Sequence, residues 1–151
     1  MLHQRLKKRV HSAIPIGKGR LSKHHLAWHK ISTDGSGKCD IVEDPEQNSY
    51  VWGVLYDINP AEKIDLDKAE GLGQGYDEKS VTVQCEATNV LATTYYATNI
   101  NSALSPYHWY KHYVVSGAKE NELPDDYIHQ LVSTPSIEDP DYKRRERNKC
   151  P

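Results

Sequence analysis

Phenylalanine is absent from this sequence, and cysteine, net charge and long apolar runs are all scarce. The three cysteines, Cys39, Cys85 and Cys150, form no CxxC pair, and an odd number without such spacing is typical of reduced thiols in a cytosolic protein. The formal net charge of −2 provides no basic field that would attract nucleic acid. No apolar run reaches the length of a membrane span or of a signal-peptide core. These absences predict a cytoplasmic protein with neither a nucleic acid nor a membrane as its partner.

Tyrosine takes the place of phenylalanine, with ten copies in 151 residues. Its ring packs as phenylalanine does while its hydroxyl needs a polar partner, so tyrosine suits an ordinary core as well as a core that opens onto a wet pocket. The length is that of one domain with a sizeable core. We therefore treat residues 1–151 as a single domain, in which the polar stretch 134–151 is a solvated and flexible tail.

Hydrophobic patterning predicts strands interrupted by one helix and finished by two more, which indicates an α+β fold. Residues 50–58 are apolar on both faces, as is typical of a strand at the centre of a sheet or barrel. The other predicted strands cover residues 13–16, 26–28 and 39–42, and a hairpin joins 76–86 to 91–98 through a turn at 87–89. The predicted helices cover residues 2–10 and 59–70, a segment that Ser105-Pro106 opens and Gly117 ends, and a segment that begins at Pro124.

The first predicted helix carries a basic face. Leu2, Leu6 and Val10 are spaced four apart, and the residues between them include Arg5 and Arg9. Such a face suits RNA or an anionic lipid surface, but the near-neutral balance of the whole chain favours a solvated face.

The helix over residues 59–70 places a carboxyl group at its end. Asn59 suits the N-cap, Pro60 suits the first helical position, and Glu62 has capping-box spacing. Gly71 is the expected left-handed stop. Glu70 therefore lies in the last turn, where the negative end of the helix dipole favours protonation and partial burial would raise its pKa further. Position alone leaves two interpretations open, a general base or acid and an ordinary exposed helical glutamate.

The glycine-rich loop over residues 30–38 is similar to a phosphate-binding loop but fails the required pattern. Ser32 stands where the first glycine is needed, and Cys39 replaces the hydroxyl residue that reaches magnesium. We reject a nucleotide site on this basis.

The histidines do not form a recognisable metal motif. His24, His25 and His29 fall in strand-like sequence, while His108 and His112 have helical i, i+4 spacing without a third ligand. We therefore predict no metal ion.

Five separated stretches resemble the γ-glutamylcyclotransferase family, in order and spacing along nearly the whole chain. The stretches are Val51-Trp52-Gly53-Val54, Leu66-Asp67-Lys68-Ala69-Glu70-Gly71, Gly75-Tyr76, residues 106–110, and Gly117-Ala118-Lys119-Glu120-Asn121-Glu122-Leu123-Pro124-Asp125-Asp126-Tyr127. The segment Asp34-Gly35-Ser36-Gly37-Lys38 also looks like one found in bacterial members.

The resemblance implies a compact mixed β-barrel flanked by helices, and a reaction that converts a γ-glutamyl amino acid or amine into 5-oxoproline and the free amine. Glu70 matches the family's catalytic glutamate. Tyr76, Tyr96, Tyr110 and Gly71 match positions that line the substrate pocket. The reaction implies a small-molecule γ-glutamyl substrate as partner and no metal or organic cofactor.

The family pattern begins with a strand ending in Tyr-Gly-Ser-Asn, whose loop holds the γ-glutamyl group, and this sequence contains no such segment. Two explanations compete: the start is assigned at an internal methionine, or the chain is a truncated product. We favour the first, because the loss of a central strand would leave backbone groups buried and unpaired.

Two functions follow from the resemblance. The leading hypothesis is a cyclotransferase-like enzyme with Glu70 as base and then acid, weak or inactive without the missing loop. The alternative is a non-catalytic protein of the same fold that binds a γ-glutamyl ligand or a partner chain. The sequence leaves the oligomeric state open, with a homodimer as the candidate.

Overall fold

The computed structural model describes residues 3–149, so Met1, Leu2, Cys150 and Pro151 lie outside the described part of the chain. In chain order the elements are α1 (His3–Lys7), β1 (Ile14–Ser22), β2 (His24–Ile31), β3 (Gly37–Glu43), β4 (Tyr50–Asp57), a 3₁₀ turn (Pro60–Glu62), α2 (Lys63–Glu70), β5 (Tyr76–Cys85), β6 (Thr88–Ala97), α3 (His108–Glu120), α4 (Asp125–Ser133) and α5 (Tyr142–Arg147). Across residues 3–149 no helix is both long and apolar enough to cross a membrane.

The strands form a curled half-barrel. Four of them make an antiparallel sheet in the order β4-β1-β5-β6, and β2 pairs antiparallel with β3. The pair is joined to β6 and the chain beyond it, because Lys30 forms a bridge with Ile100 and the Ala97 N–H donates to Asp40 Oδ1 at 2.7 Å. The predicted α+β fold is confirmed.

The position of β4 differs from the prediction. Within residues 3–149 this strand pairs with β1 on one edge and is the end strand of its sheet, not a central one. Its apolar pattern is explained by its two faces, since Val51 belongs to the larger core cluster and Tyr56, on the opposite face of the strand, packs against the smaller. A hydrophobic pattern reports which faces are covered and carries no information on which edges are paired.

Two hydrophobic clusters hold the elements together. The larger lies between β4 and the α3-α4 pair, and its buried residues are Val51, Val115, Ala118, Leu123, Tyr127 and Leu131. The smaller consists of Leu6, Val10 and Ala13, and it packs against Tyr56, Ile58 and Leu66. The N-terminal segment therefore covers one side of α2 and the end of β4.

The bounds of three elements differ from those predicted. The helix α1 ends at Lys7, and the hairpin turns at Glu86 and Ala87. Gly117 does not end α3 but lies buried inside it, while the left-handed conformation falls on Glu122, with φ of +50°. The predicted stop was wrong because the packing of α3 on α4 extends the helix past the glycine.

The polar C-terminal stretch folds back onto α3 instead of extending into solvent as predicted. Asp139 is 1% exposed and accepts hydrogen bonds from Arg144 at 2.7 and 2.6 Å and from the Trp109 indole at 2.8 Å. These charged bonds lower the pKa of Asp139 well below its usual range. The polar composition of this stretch gives no indication of the buried Asp139 carboxylate, which fixes α5 to α3.

We expect the Asp139→Asn variant to lower the free energy of unfolding by about 2 to 3 kcal/mol, because it weakens bonds that a buried carboxylate makes to a guanidinium and an indole. Urea denaturation at pH 7 measures the change. Glu138→Gln is the matched control, since Glu138 pairs with Arg145 in an exposed setting where such a pair contributes little. Equal losses in the two variants would contradict the assignment.

Candidate active site

The helix α2 ends at Gly71 as the sequence predicts, but it begins at Lys63, after a 3₁₀ turn over Pro60–Glu62 that Asn59 caps. The Asn59 side chain accepts from the Ala61 N–H at 3.0 Å, and Gly71 takes the left-handed conformation with φ of +77°. The predicted capping box was wrong, because Glu62 turns instead to the N-terminal segment. Its carboxylate accepts from the Ser12 N–H at 2.8 Å, while the Asn59 N–H donates to Ser12 Oγ at 2.8 Å.

Glu70 lies in the last turn of α2 with its side chain 19% exposed. Burial raises the pKa of its carboxyl group above the ordinary value, and the Arg9 guanidinium opposes this rise. Arg9 Nη1 donates to Glu70 Oε1 at 3.2 Å. The upward pKa shift predicted from the sequence is confirmed, with burial as its main cause.

The role of Arg9 was not predicted from the sequence. We expected the basic residues near the N-terminus to form a solvated face, yet Arg9 pairs with a carboxylate 61 residues away and Arg5 lies over the Tyr113 ring at 4.2 Å. Linear spacing gives no signal for such a pair. The available hint was the buried Val10 next to Arg9, which turns this end of the segment toward the core.

Tyr76 and Tyr110 converge on the backbone of Cys39. The Tyr76 hydroxyl donates to the Cys39 carbonyl at 2.7 Å, and the Cys39 N–H donates to Tyr110 Oη at 3.1 Å. Burial raises the pKa of both phenols, and the charge of Glu70 adds to the rise at Tyr76. Both tyrosines are therefore neutral and fixed in position by the Cys39 backbone.

Tyr96 lies in a different setting. It pairs with Asp77 across the hairpin, so it faces the side opposite to Tyr76, and its hydroxyl lies 3.5 Å from Asp77 Oδ2. The Lys79 ammonium lies 5.5 Å from the Tyr96 ring centre. Gly71 directly follows Glu70 as the helix cap. The described contacts thus join Tyr76 and Tyr110 through the Cys39 backbone, the charge of Glu70 acts on Tyr76, and Tyr96 lies with Asp77 and Lys79.

The loop before β3 supports the tyrosines. The Lys38 ammonium donates to Asp34 Oδ2 at 2.7 Å and to Ser36 Oγ at 2.6 Å, and the Trp109 and Tyr110 ring centres lie 4.8 and 4.7 Å from it. Its charge keeps the pKa of Asp34 at about 2 against the opposing effect of burial. The lysine of the loop that we rejected as a phosphate site is thus occupied in holding α3, and with it Tyr110, against β3.

The cysteine and histidine side chains of this region have structural partners. Burial raises the pKa of Cys39 to about 12, so its thiol stays protonated at neutral pH. His29 Nε2 lies 2.8 Å from Asp40 Oδ2, and no group of three metal-ligating side chains is found within residues 3–149. A cavity of about 410 Å³ between β1 and β5 is lined by residues other than Glu70 and the predicted tyrosines.

Comparison with known proteins identifies the class to which this arrangement belongs. The model of the AIG2-like family matches residues 50–131, which span α2, β5, β6, α3 and most of α4. The chain belongs to the AIG2-like family. This match covers the Glu70, Tyr76 and Tyr110 group.

The relatives by sequence carry one name. The chain is 37% identical over 118 residues to the γ-glutamylcyclotransferase of Bos taurus and 34% identical over 123 residues to that of Homo sapiens. These alignments cover 77% and 80% of this chain but 56% and 58% of the two relatives, so the chain spans less than two thirds of their length. The resemblance predicted from the sequence is confirmed.

Solved structures agree on the fold. A γ-glutamyl cyclotransferase superposes with a TM-score of 0.84 at 28% identity, covering 93% of this chain and 84% of that protein. YkqA from Bacillus subtilis superposes with a TM-score of 0.73 at 19% identity, covering 88% and 49%, and it supports the fold alone.

Glu70 should cost stability at neutral pH. Because its pKa is higher in the folded chain than in the unfolded one, ionisation favours unfolding, and the penalty grows as the pH rises through the folded pKa. We expect Glu70→Gln to raise the free energy of unfolding at pH 7 and to lose this advantage as the pH falls well below 4.5, the ordinary glutamate pKa, where the carboxyl is protonated in both the folded and the unfolded chain. Urea denaturation at neutral and at acidic pH measures the difference in free energy of unfolding between the variant and the unaltered protein. A variant that is less stable than the unaltered protein at pH 7 would contradict the account.

Proposed function

We propose that this protein is a γ-glutamylcyclotransferase-like enzyme, which cyclises a γ-glutamyl amino acid or amine to 5-oxoproline and releases the amine. The observation that carries the proposal is the Glu70 carboxyl group, mostly withdrawn from water, raised in pKa and near enough to the neutral Tyr76 for its charge to act on that phenol. Perturbed carboxyl groups of this kind concentrate at functional sites. The relatives named γ-glutamylcyclotransferase supply the reaction class.

Glu70 acts as base and then as acid in this scheme. The substrate's α-amine attacks its own γ-carbonyl carbon, but an α-amine with a pKa of about 8 is mostly protonated at neutral pH and cannot attack. Ionised Glu70 accepts that proton, the new C–N bond closes a five-membered ring, and the bond to the leaving nitrogen breaks as Glu70 returns the proton to it. A raised pKa suits both transfers, since the carboxyl must release the proton it has taken.

The remaining residues hold the substrate in a ring-forming pose. Both nucleophile and electrophile belong to one molecule, so positioning supplies much of the rate. Tyr76 and Tyr110 would form rigid walls of the pocket, because their hydroxyls are already bound to the Cys39 backbone. Gly71 leaves space next to Glu70, since the nearest atom that an added Cβ would meet is 3.7 Å away.

We expect Glu70→Gln to lower the rate of 5-oxoproline formation from γ-glutamyl dipeptides by about a hundredfold or more, because it removes the group that transfers the proton. Chromatographic detection of 5-oxoproline measures the rate. Glu62→Gln is a matched control, because Glu62 occupies the start of the same helix unit and bonds Ser12 instead of facing the tyrosines. Equal rates in the unaltered protein and the Glu70→Gln variant would remove Glu70 from the mechanism, and ligand-induced thermal shifts without any product would favour a binding protein.

Arg9 should set the pH at which the base becomes active. Removing its charge in Arg9→Met raises the pKa of Glu70 further, so the acidic limb of the kcat/KM profile should move to higher pH while the rate at alkaline pH changes little. Arg9→Lys keeps the charge and should restore most of the profile. Lys8→Met is the control for a lost positive charge, since Lys8 is exposed. If the acidic limb of the Arg9→Met profile moves to lower pH or does not move, Arg9 does not set the pH at which Glu70 becomes active.

A further inference from the structure

Lys30 stands apart from the other lysines of the described chain. It lies at the end of β2 with a partly buried side chain, and across residues 3–149 its ammonium has neither a hydrogen-bond acceptor nor a carboxylate within 4.0 Å. The other partly buried lysines each have an oxygen acceptor; they are Lys7, Lys38, Lys63, Lys79 and Lys111. The N–H groups of the Lys30 ammonium can therefore form charge-assisted hydrogen bonds with an anionic ligand.

The surroundings of Lys30 are built to admit its side chain. A Cβ added at Gly75, where φ is +116°, would come within 3.1 Å of Lys30 Cε and 3.2 Å of its Nζ, so the glycine provides the space that the lysine occupies. The ammonium also lies 4.8 Å from the Tyr76 ring centre. These contacts place the charge against the backbone and ring that precede β5, next to the candidate active site.

Lys30 belongs to the electrostatic environment of Glu70. Its charge, like those of Arg9 and Arg5, lowers the pKa of the Glu70 carboxyl. Arg9 is committed to Glu70 at 3.2 Å, and Arg5 lies over the Tyr113 ring. Tyr76, the titratable group that β5 presents here, is neutral. Lys30, like Arg5, has an aromatic ring as its described neighbour, and within residues 3–149 no carboxylate lies within 4.0 Å of its ammonium.

We propose that Lys30 binds a carboxylate of the substrate and so determines that the site takes anionic γ-glutamyl compounds. This inference rests on the proposed function of the same site. A carboxylate would form a charge-assisted hydrogen bond with the Lys30 ammonium. Two carboxylates have this chemistry, the α-carboxylate of the γ-glutamyl group and that of the released amino acid.

The test is calorimetric binding to proteins that carry Glu70→Gln, in which turnover is suppressed. The ligands are γ-glutamylalanine, which has both carboxylates, and γ-glutamylmethylamide, which has the α-carboxylate alone. Lys30→Met and Lys30→Gln remove the charge, and Lys30→Arg restores it. Lys68→Met controls for a lost charge, because Lys68 is exposed on α2. Thermal unfolding verifies that each variant is folded.

If Lys30 binds the α-carboxylate, Lys30→Met should weaken the binding of both ligands by about tenfold or more. If it binds the other carboxylate, the loss should be confined to γ-glutamylalanine. In either case Lys30→Arg should retain most of the affinity and Lys68→Met all of it. Unchanged affinity in both neutral variants, equal losses in Lys68→Met, or no binding by the protein with Lys30 intact would overturn the proposal.

Turnover of γ-glutamylalanine by the protein with Glu70 intact is measured in parallel. Turnover with binding that does not depend on Lys30 would overturn this inference and leave the proposed function standing. Binding that depends on Lys30, without turnover, would support the carboxylate site and count against the enzyme.

Discussion

The structure depends on one electrostatic balance, the burial of the Glu70 carboxyl against the charge of Arg9. Burial raises the pKa of this group, and the Arg9 guanidinium, 3.2 Å away, lowers it. The two effects act on a carboxyl group from which water is mostly excluded. In the proposed function, this balance allows Glu70 both to accept and to release a proton.

The N-terminal segment makes the balance possible. Leu6, Val10 and Ala13 pack against Leu66 of α2, and Ser12 bonds both ends of the turn that opens the helix. The same packing brings Arg9 to Glu70. The sequence of this segment predicts a basic and solvated face. In the structure the segment packs against α2, and the charge of Arg9 acts on Glu70.

Tyr110 is held in position by a second set of contacts. The Lys38 ammonium fixes the loop before β3 to the rings of α3, and the buried Asp139 ties α5 to Trp109 of the same helix. Tyr110 thus lies at the start of α3, at the end of the helix that Lys38 and Asp139 hold in place. Polar and charged side chains therefore hold α3 in place. This agrees with the composition, since the chain has tyrosine and no phenylalanine.

The sequence was informative where local chemistry decides the structure. Asn59 caps the turn before α2 and Gly71 ends the helix, because side-chain caps and left-handed glycines act within a few residues. The direction of the Glu70 pKa shift was also predicted, although burial is its largest cause and not the helix end. The pairs Arg9–Glu70 and Asp139–Arg144 were missed for different reasons. The first joins residues distant in the chain, and the second is buried within a stretch whose composition is polar.

The edge position of β4 and the continuation of α3 through Gly117 were missed because both depend on tertiary neighbours. Periodicity reports covered faces, and a glycine stops a helix when nothing packs against the residues that follow. Lys30 showed no signal in sequence, since an ammonium without a partner can be recognised only once the surrounding atoms are placed.

The most direct test of the account is a carbon-13 NMR titration of the Glu70 side-chain carboxyl in the folded protein. The account predicts a midpoint above the ordinary glutamate value of 4.5, and a still higher midpoint when Arg9 is replaced by methionine. A midpoint at or below 4.5, or one that does not respond to the loss of Arg9, would contradict the claim that burial and Arg9 together hold Glu70 as a base.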